Sequence, residues 1–426
     1  MPIPQEWLQY APKPRDLPSG KEWNVFLSYR SVNRTWVLNL YDILKELGYK
    51  VFIDQVELAA GDDLALRLGN ALNKSQSGIL IWSAAAADSA WVQREYSKMT
   101  NMSLNDPSFR FVPVKLDEAA FPGLADATIF IDFSSYPDGP NGGELLRLLN
   151  GIAGKALSPE AARFANNQNE LAIDMANQID AAKRNDDADE ITRLFNENSL
   201  PWKTTASLGC KAAENLIKLG KNEEAISLLT KVKDQFPRAI RPKQMLALAL
   251  ARKRNDTDLR EAQKILSTLY TQGERDPETV GIYARTWMDR YNKSGNPSDL
   301  RQSRNYYLEA YKRAPDDYYT GINAASKSVL LNEYDNGTAI AEKILENIGI
   351  EAVTGDYWKT ATIAEAFLIL KRYQEAGVMY QQAVDIAPTD RGSHKSTMEQ
   401  AKLLMDKLQT SDNERKNVLN AFNNQP

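Results

Sequence analysis

The chain has 426 residues, of which 43% are hydrophobic and 25% are charged, and its formal net charge at pH 7 is −4. This length exceeds what one ordinary hydrophobic core supports, so we predict two or three globular domains. Proteins that hold a nucleic-acid backbone carry an excess of positive charge on the binding surface. The charge balance of this chain therefore argues against a direct nucleic-acid partner.

Cysteine and histidine occur once each, as Cys210 and His394. One cysteine cannot form a disulfide within the chain, and zinc sites or Cys–His catalysis need more such residues, so we predict no metal site. Cys210 lies among alanines and is interpreted as a small packing residue, whereas His394 lies in a polar segment and is expected at the surface. A signal-peptide pattern and an apolar run of the ~20 residues that span a membrane are both missing, which predicts a cytoplasmic protein without a membrane partner.

The first 150 residues change from a proline-rich start to an alternation of strands and helices. Prolines at positions 2, 4, 12, 14 and 18 exclude a continuous helix over residues 1–20 and predict an extended N-terminal arm. Strands are predicted at 24–28, 50–53, 78–82, 110–114 and 128–131, and helices at 33–47, 62–74, 88–102 and 143–149. This order predicts an α/β domain over residues 21–152, a five-stranded parallel sheet with helices on both faces.

Residues 158–410 contain helical patterns only, and these recur with a period of about 34 to 40 residues. Small residues occupy equivalent second-helix positions, spaced 37, 41, 38 and 35 residues apart, at Ala225, Ala262, Ser303, Ala341 and Ala376. Small side chains allow close helix contact, so the pattern predicts an all-α, tetratricopeptide-like solenoid rather than a non-repeating bundle. Residues 411–426 are predicted to be a polar tail.

The stretch from Ser83 to Glu95 connects the third predicted strand to the third predicted helix. Trp91 and Glu95 are four residues apart and therefore share one helix face. Such a junction lies at the carboxyl ends of the strands, where parallel sheets bind their ligands. From these residues alone, a solvated helix carboxylate is the alternative interpretation of Glu95.

Three motifs occur in register along this part of the chain: VFLSYR ending at Tyr29 and Arg30, the segment from Val51 to Asp62, and Ser83 followed by SAWVQRE ending at Glu95. Together they resemble a TIR domain, which has a flavodoxin-like fold, over roughly residues 20–150. In the helical part, residues 318–325 and 356–362 resemble the tetratricopeptide-type TRAFs-binding domain of some kinases. Similar regions accompany effector domains in bacterial signalling and defence proteins.

TIR domains are either adaptors or enzymes that cleave NAD+ between nicotinamide and ribose. The enzymes carry a glutamate in a W-x-x-x-E setting, which Trp91 to Glu95 satisfies. The resemblance therefore implies an NAD+ glycohydrolase with Glu95 as the catalytic carboxylate and with NAD+ as substrate rather than cofactor. It also implies that substrate is bound by Tyr29, Arg30, Asp54, Glu57, Leu58, Gly61, Ser83 and Trp91.

Several alternatives stay open for these residues. Trp91 is equally interpreted as a packing residue, Arg30 as the partner of Asp54, and Ser83 and Ser89 as turn and cap residues. In the family, the loop that corresponds to residues 54–62 covers the cleft and mediates contacts between TIR domains.

The resemblance also implies how activity is controlled. It predicts self-association through TIR domains and an unidentified protein, peptide or nucleotide activator on the repeats, in a role suited to antiphage defence by NAD+ depletion. The alternatives are a non-enzymatic TIR and tetratricopeptide scaffold, and a TIR enzyme that makes a cyclic ADP-ribose-type signal.

Overall fold

The computed structural model describes residues 3–53, 64–87, 89–121, 129–137, 139–197, 199–253, 255–315, 317–353, 355–388 and 391–423, without the side chains of residues 31, 64–66, 90, 91, 391, 392 and 423. The chain divides into two compact units, Met1–Leu269 and Tyr270–Pro426. This boundary lies inside the segment predicted to be repeats. The first unit therefore contains the α/β domain together with the first helical hairpins.

One parallel sheet forms the centre of the α/β domain, with strand order β2-β1-β3-β4-β5. The strands are β1 Trp23–Ser28, β2 Val51–Phe52, β3 Ser75–Trp82, β4 Arg110–Lys115 and β5 Ile131–Asp132. The predicted five-stranded parallel sheet is confirmed. The connections leave β1 in opposite directions, to β2 on one side and onward to β3 on the other, which places the switch point at the carboxyl ends of β1 and β3.

Helices cover both faces of this sheet. They are Arg34–Glu46, Leu64–Asn73, Ala84–Ala87, Ala90–Asn105 and Gly142–Ala153, with a 3-10 turn at Ser31–Asn33. Consecutive strand residues point to opposite faces, so Ile79 joins one buried cluster with Leu40 and Leu148, while Leu80 joins another with Phe26 and Met99. The helix predicted over 88–102 begins at Ala90 because Ser89 is its N-cap, accepting from Val92 N at 3.4 Å, and the alanines before it form a helix of their own.

The N-terminal arm is part of the core of the first unit. Residues Gln5–Leu8 form one helical turn, and Trp7 is completely buried in the same cluster as Leu40. Tyr10 packs on Phe164 with ring centroids 4.8 Å apart. The prediction of a merely extended arm is therefore incomplete, because burial of Trp7 stabilises a turn between the prolines.

The remaining helices form successive hairpins. Three helices come first, Pro159–Arg184, Ala188–Asn196 and Leu200–Thr204. The helices after them follow one another in pairs. In chain order the pairs are Ser207–Lys218 with Asn222–Gln235, Arg241–Arg252 with Asp256–Thr271, Pro277–Ser294 with Pro297–Arg313, Tyr318–Leu330 with Tyr334–Ile348, Tyr357–Ile369 with Tyr373–Ile386, and Arg391–Leu408 with Asp412–Asn423. Each of the five segments predicted from small residues is the second helix of a pair, which confirms the solenoid. No helix in the described ranges has both the length and the apolar character needed to cross a membrane.

Three local predictions about this helical part meet different outcomes. The prediction of a polar tail is wrong over residues 412–423, because these residues form a helix in which Val418 and Ala421 are buried. His394 is also not at the surface: it is 3% exposed and its ring lies 5.5 Å from that of Tyr357, because only one face of its helix is solvated. Cys210 is buried as predicted, and burial raises the pKa of its thiol to about 12, so the thiol stays protonated at neutral pH.

Two buried hydrogen bonds and one exposed hydrogen bond join the sheet domain to the first hairpins within the first unit. Asp42, on the helix that follows β1, accepts from Ile240 N at 2.8 Å. Ser207 donates to the carbonyl of Pro140 at 3.3 Å, and Arg238 donates to the carbonyl of Lys45 at 3.0 Å. Breaking a buried polar contact leaves an unsatisfied group, so the two buried bonds, made by Asp42 and Ser207, hold the hairpins and the sheet domain together.

Asn169 also joins its helix to the sheet domain by hydrogen bonds. Removing its side chain should therefore change the free energy of unfolding measurably. Its Oδ1 accepts from Tyr136 Oη at 2.6 Å and from Gly143 N at 2.7 Å. We expect Asn169→Ala to lower the free energy of unfolding by ~1–3 kcal/mol, because both donors lose their partner in a partly buried site. Urea denaturation measures the change. The matched control is Asn166→Ala on the exposed side of the same helix, for which a loss as large as that of Asn169→Ala would contradict the prediction.

Candidate functional site

Glu95 lies at the carboxyl edge of the central strands. Its helix, Ala90–Asn105, follows β3, and its carboxylate reaches the end of the neighbouring strand β1. Ser28, the last residue of β1, donates to Glu95 Oε2 at 2.5 Å. Glu95 is 9% exposed and Ser28 is 1% exposed, so the interpretation of Glu95 as a solvated carboxylate is wrong.

A lysine on the same helix contributes to the electrostatics around Glu95. Lys98, one turn later, donates from Nζ to the carbonyl of Gly69 at 2.9 Å. Burial lowers the pKa of Lys98, and the negative charge of Glu95 opposes that change. The carboxylate therefore has a hydroxyl donor bonded to it and a positive charge near it.

Ser83 connects the ends of β3 and β1. Its Oγ donates to Asn33 Oδ1 at 2.8 Å and accepts from Ala86 N at 3.2 Å. Ser83 is thus a turn residue that starts the short helix, and it also positions the segment after β1. Asp117, which follows β4, accepts from Ala84 N at 2.9 Å. Polar groups from three adjacent strand ends meet along this edge of the sheet.

The other predicted site residues fall into two groups. Tyr29 and Arg30 directly follow Ser28 and are half-buried beside the same edge. Trp91 precedes Glu95 by one helical turn, but its side chain is outside the described part of the chain. Asp54, Glu57, Leu58 and Gly61 also lie outside the described residues, so their roles and that of Trp91 stay predictions.

Three residues of this edge were missed as site residues by sequence reasoning: Ser28, Asn33 and Asp117. Ser28 stands inside the VFLSYR motif, and its position as the last residue of a buried strand was the available signal. Asn33 and Asp117 follow strands β1 and β4, but many polar residues follow strands. Their partners, Ser83 and Ala84, are distant in sequence, so only the fold identifies them.

A cavity of about 270 Å³ lies beside Asn33, between the sheet edge and the first hairpins. Its lining residues come from both parts: Val32, Asn33, Thr35, Trp36, Asn39, Leu116, Asp117 and Pro137 from the sheet domain, and Cys210, Lys211, Glu214, Arg241 and Met245 from the hairpins. The two residues that order the strand ends, Asn33 and Asp117, therefore share a cavity with hairpin side chains.

Two family models match separate parts of this chain. Residues 25–148 match the family model described as TIR domain, and residues 221–331 match the one described as Tetratricopeptide Repeats-Sensor. Among solved structures, a thermophilic TPR protein from Thermus thermophilus has a TM-score of 0.36 and 17% identity, covering 47% of this chain and 97% of that one. The TPR protein YrrB has a TM-score of 0.30 and 13% identity, covering 52% and 99%.

Curated relatives match parts of the chain. The probable 2′ cyclic ADP-D-ribose synthase TcpB of Brucella melitensis is 31% identical over 113 residues, 25% of this chain and 45% of that protein. The probable 2′ cyclic ADP-D-ribose synthase BdTIR of Brachypodium distachyon is 32% identical over 79 residues, 18% and 35%. The disease resistance-like protein DSC1 of Arabidopsis thaliana is 27% identical over 244 residues, 51% and 19%. The chain spans less than half the length of each of these relatives. It combines a TIR domain at its N-terminus with tetratricopeptide sensor repeats after it.

Proposed function

We propose that this protein cleaves the nicotinamide–ribose bond of NAD+ and that Glu95 is the catalytic carboxylate. The observation that carries the proposal is the burial of Glu95 at the carboxyl ends of β1 and β3, with Ser28 bonded to its Oε2 at 2.5 Å. The two relatives named as cyclic ADP-D-ribose synthases support NAD+ as the substrate.

The chemistry needs few groups from the protein. The bond from the ribose C1 to the nicotinamide nitrogen breaks, its electron pair leaves with nicotinamide, and the ribosyl group becomes an oxocarbenium-like cation. A carboxylate beside the ribose opposes this positive charge and accepts hydrogen bonds from the ribose hydroxyls. Nicotinamide leaves as a neutral molecule, so a second carboxyl group is not needed as a general acid.

The nucleophile that captures the cation decides the product. Attack by water gives ADP-ribose, whereas attack by a hydroxyl of the same molecule gives a cyclic ADP-ribose. The names of the relatives favour cyclisation as a second outcome of the same site. Mass spectrometry of the products formed from NAD+ by the purified full chain distinguishes the two routes.

The test of the catalytic proposal is NAD+ consumption by the full chain and by its Glu95→Gln variant, at low and high protein concentration. We expect the wild type to consume NAD+ about 10²- to 10³-fold faster than the variant. High concentration is included because the proposed active form is assembled through TIR domains.

Ser28 is proposed as a positioning residue for this carboxylate. We expect Ser28→Ala to lower the turnover of NAD+ about 10- to 100-fold, because a hydrogen bond to a charged group contributes ~1.5–3 kcal/mol. Initial rates of nicotinamide release measure the effect. The matched control is Ser97→Ala, an exposed serine on the Glu95 helix whose hydroxyl donates to the carbonyl of Gln93 at 2.9 Å. Equal rates for the two variants would exclude the positioning role.

We propose that ligand binding to the repeats controls the activity. An activator bound there, whether protein, peptide or nucleotide, changes how TIR domains associate and so completes the site, and the resulting NAD+ loss serves antiphage defence. The cavity shared by Asn33, Asp117 and the first hairpins supports a physical link. The test is whether specific activity rises with protein concentration in parallel with sedimentation-measured assembly.

A further inference from the structure

Asn33 occupies the position that normally caps a helix, yet its side chain does not cap one. It is the N-cap residue of the helix Arg34–Glu46, where asparagine usually accepts from a backbone N–H of the first turn. Its φ of −85° and ψ of 4° differ from the extended backbone of a typical N-cap, because Asn33 also ends the 3-10 turn Ser31–Asn33. The Asn33 side chain accepts no bond from the first turn of its own helix, so it is available for another contact.

The Asn33 side chain is bonded instead to the end of a neighbouring strand. Its Oδ1 accepts from Ser83 Oγ at 2.8 Å, and Ser83 directly follows β3. The backbone N–H of Asn33 donates to the carbonyl of Arg30 at 2.8 Å, which closes a turn over residues 30–33. One residue therefore joins the turn that contains Arg30 to the point where the chain leaves β3.

The segment that Asn33 holds at its start leads to the helix of the candidate carboxylate. Asp117, two residues after β4, holds the same start from the other side, because it accepts from Ala84 N at 2.9 Å. At the end of the segment, the carbonyl of Ala87 accepts from Gln93 Nε2, on the next helix, at 2.5 Å. Hydrogen bonds thus connect the turn after β1, the segment after β3 and the helix that follows it.

We infer that Asn33 is a positioning residue for NAD+ binding, which holds Tyr29 and Arg30 in place relative to the Glu95 helix. This inference rests on the proposed function and on the predicted contacts of Tyr29 and Arg30 with the substrate. Without the bond to Ser83, the turn after β1 occupies additional conformations, and only a fraction of the molecules is ready to bind. The apparent affinity for NAD+ falls by that fraction.

The test is the steady-state kinetics of NAD+ cleavage by the full chain at high protein concentration. We expect Asn33→Ala to raise KM about 3- to 10-fold, the factor that one neutral hydrogen bond contributes, and to leave kcat within about twofold. Ser28→Ala should show the opposite pattern, a lower kcat with little change in KM, because Ser28 acts on the carboxylate itself. The matched control is Asn101→Ala, an exposed asparagine on the Glu95 helix, and its KM and kcat should equal those of the wild type.

A double-mutant cycle distinguishes positioning from direct contact with the substrate. Ser83→Ala removes the donor of the same hydrogen bond. If Asn33 acts through Ser83, the double variant should have the KM of Ser83→Ala alone, because that bond is already lost. If both side chains contacted NAD+ independently, the two increases in KM would multiply, and this result would overturn the inference.

Amide hydrogen exchange, measured by mass spectrometry, reports the bond between Asn33 and Ser83 without any enzymatic activity. Exchange should be faster in Asn33→Ala than in the wild type over residues 30–33 and 83–87, and unchanged there in Asn101→Ala. Unchanged exchange in Asn33→Ala, or equal KM values for the two variants, would overturn the inference and leave the proposed function intact. If the wild type does not cleave NAD+ at all, the proposed function fails, and the role of Asn33 in substrate binding fails with it.

Discussion

Glu95→Gln should lower NAD+ cleavage about 10²- to 10³-fold, the scale on which preorganised electrostatic groups contribute to catalysis. Glutamine keeps the size of the side chain and an oxygen that can accept from Ser28, but it removes the negative charge that faces the developing ribosyl cation. Chromatographic measurement of NAD+ and nicotinamide over time gives the rates. The effect should fall on turnover more than on substrate affinity, because the charge matters most in the transition state.

The control for this experiment is Glu118→Gln, which removes a carboxylate that is 90% exposed in the same domain. Its turnover should match that of the wild type. The thermal midpoints of both variants should stay close to the wild-type value, which excludes unfolding as the cause of lost activity. Equal NAD+ loss by the wild type and Glu95→Gln would refute the catalytic role.

Trp7→Ala should cause the largest loss of stability among simple substitutions in the N-terminal arm. The Trp7 side chain is completely buried in the cluster that also contains Leu40 and Leu148. Truncation of a buried tryptophan costs about 3–5 kcal/mol, because apolar contacts are lost and a cavity remains. For a unit of this size, the thermal midpoint should fall by about 10 °C, as measured by calorimetry.

Leu8→Ala is the matched control, since the neighbouring Leu8 is 37% exposed. Its effect should stay within about 0.5 kcal/mol. Trp7→Ala with wild-type stability would show that the arm does not belong to the core of the first unit.

The hydrogen bonds between the sheet domain and the first hairpins bear on how activity could be controlled. Asp42 accepts from Ile240 N at 2.8 Å, and the helix that carries Asp42 starts directly after Asn33. Asn33 in turn accepts from Ser83 at 2.8 Å at the end of β3. The Ile240 bond and the Ser83 bond are therefore connected through one helix and the residue that precedes it.

The local sequence pattern was sufficient to predict much of the fold. The helical part shows where predictions from that pattern failed. The five second helices were predictable because small residues recur wherever two helices pack closely. His394 was placed wrongly because a polar segment of helix can still bury one face, and His394 lies on that face against Tyr357. The helix at residues 412–423 was missed because its apolar positions, such as Val418, are few.

The sequence by itself determined the order of strands and helices, the parallel sheet, the repeats and the position of Glu95 on the helix after β3. These features depend on periodicity and turn residues, which are local along the chain. Only the tertiary structure decided that Glu95 is buried against Ser28, that Asn33 meets Ser83, and that the first hairpins belong to the same compact unit as the sheet. Those contacts join segments far apart in sequence, and nothing in the local pattern of either segment specifies its partner.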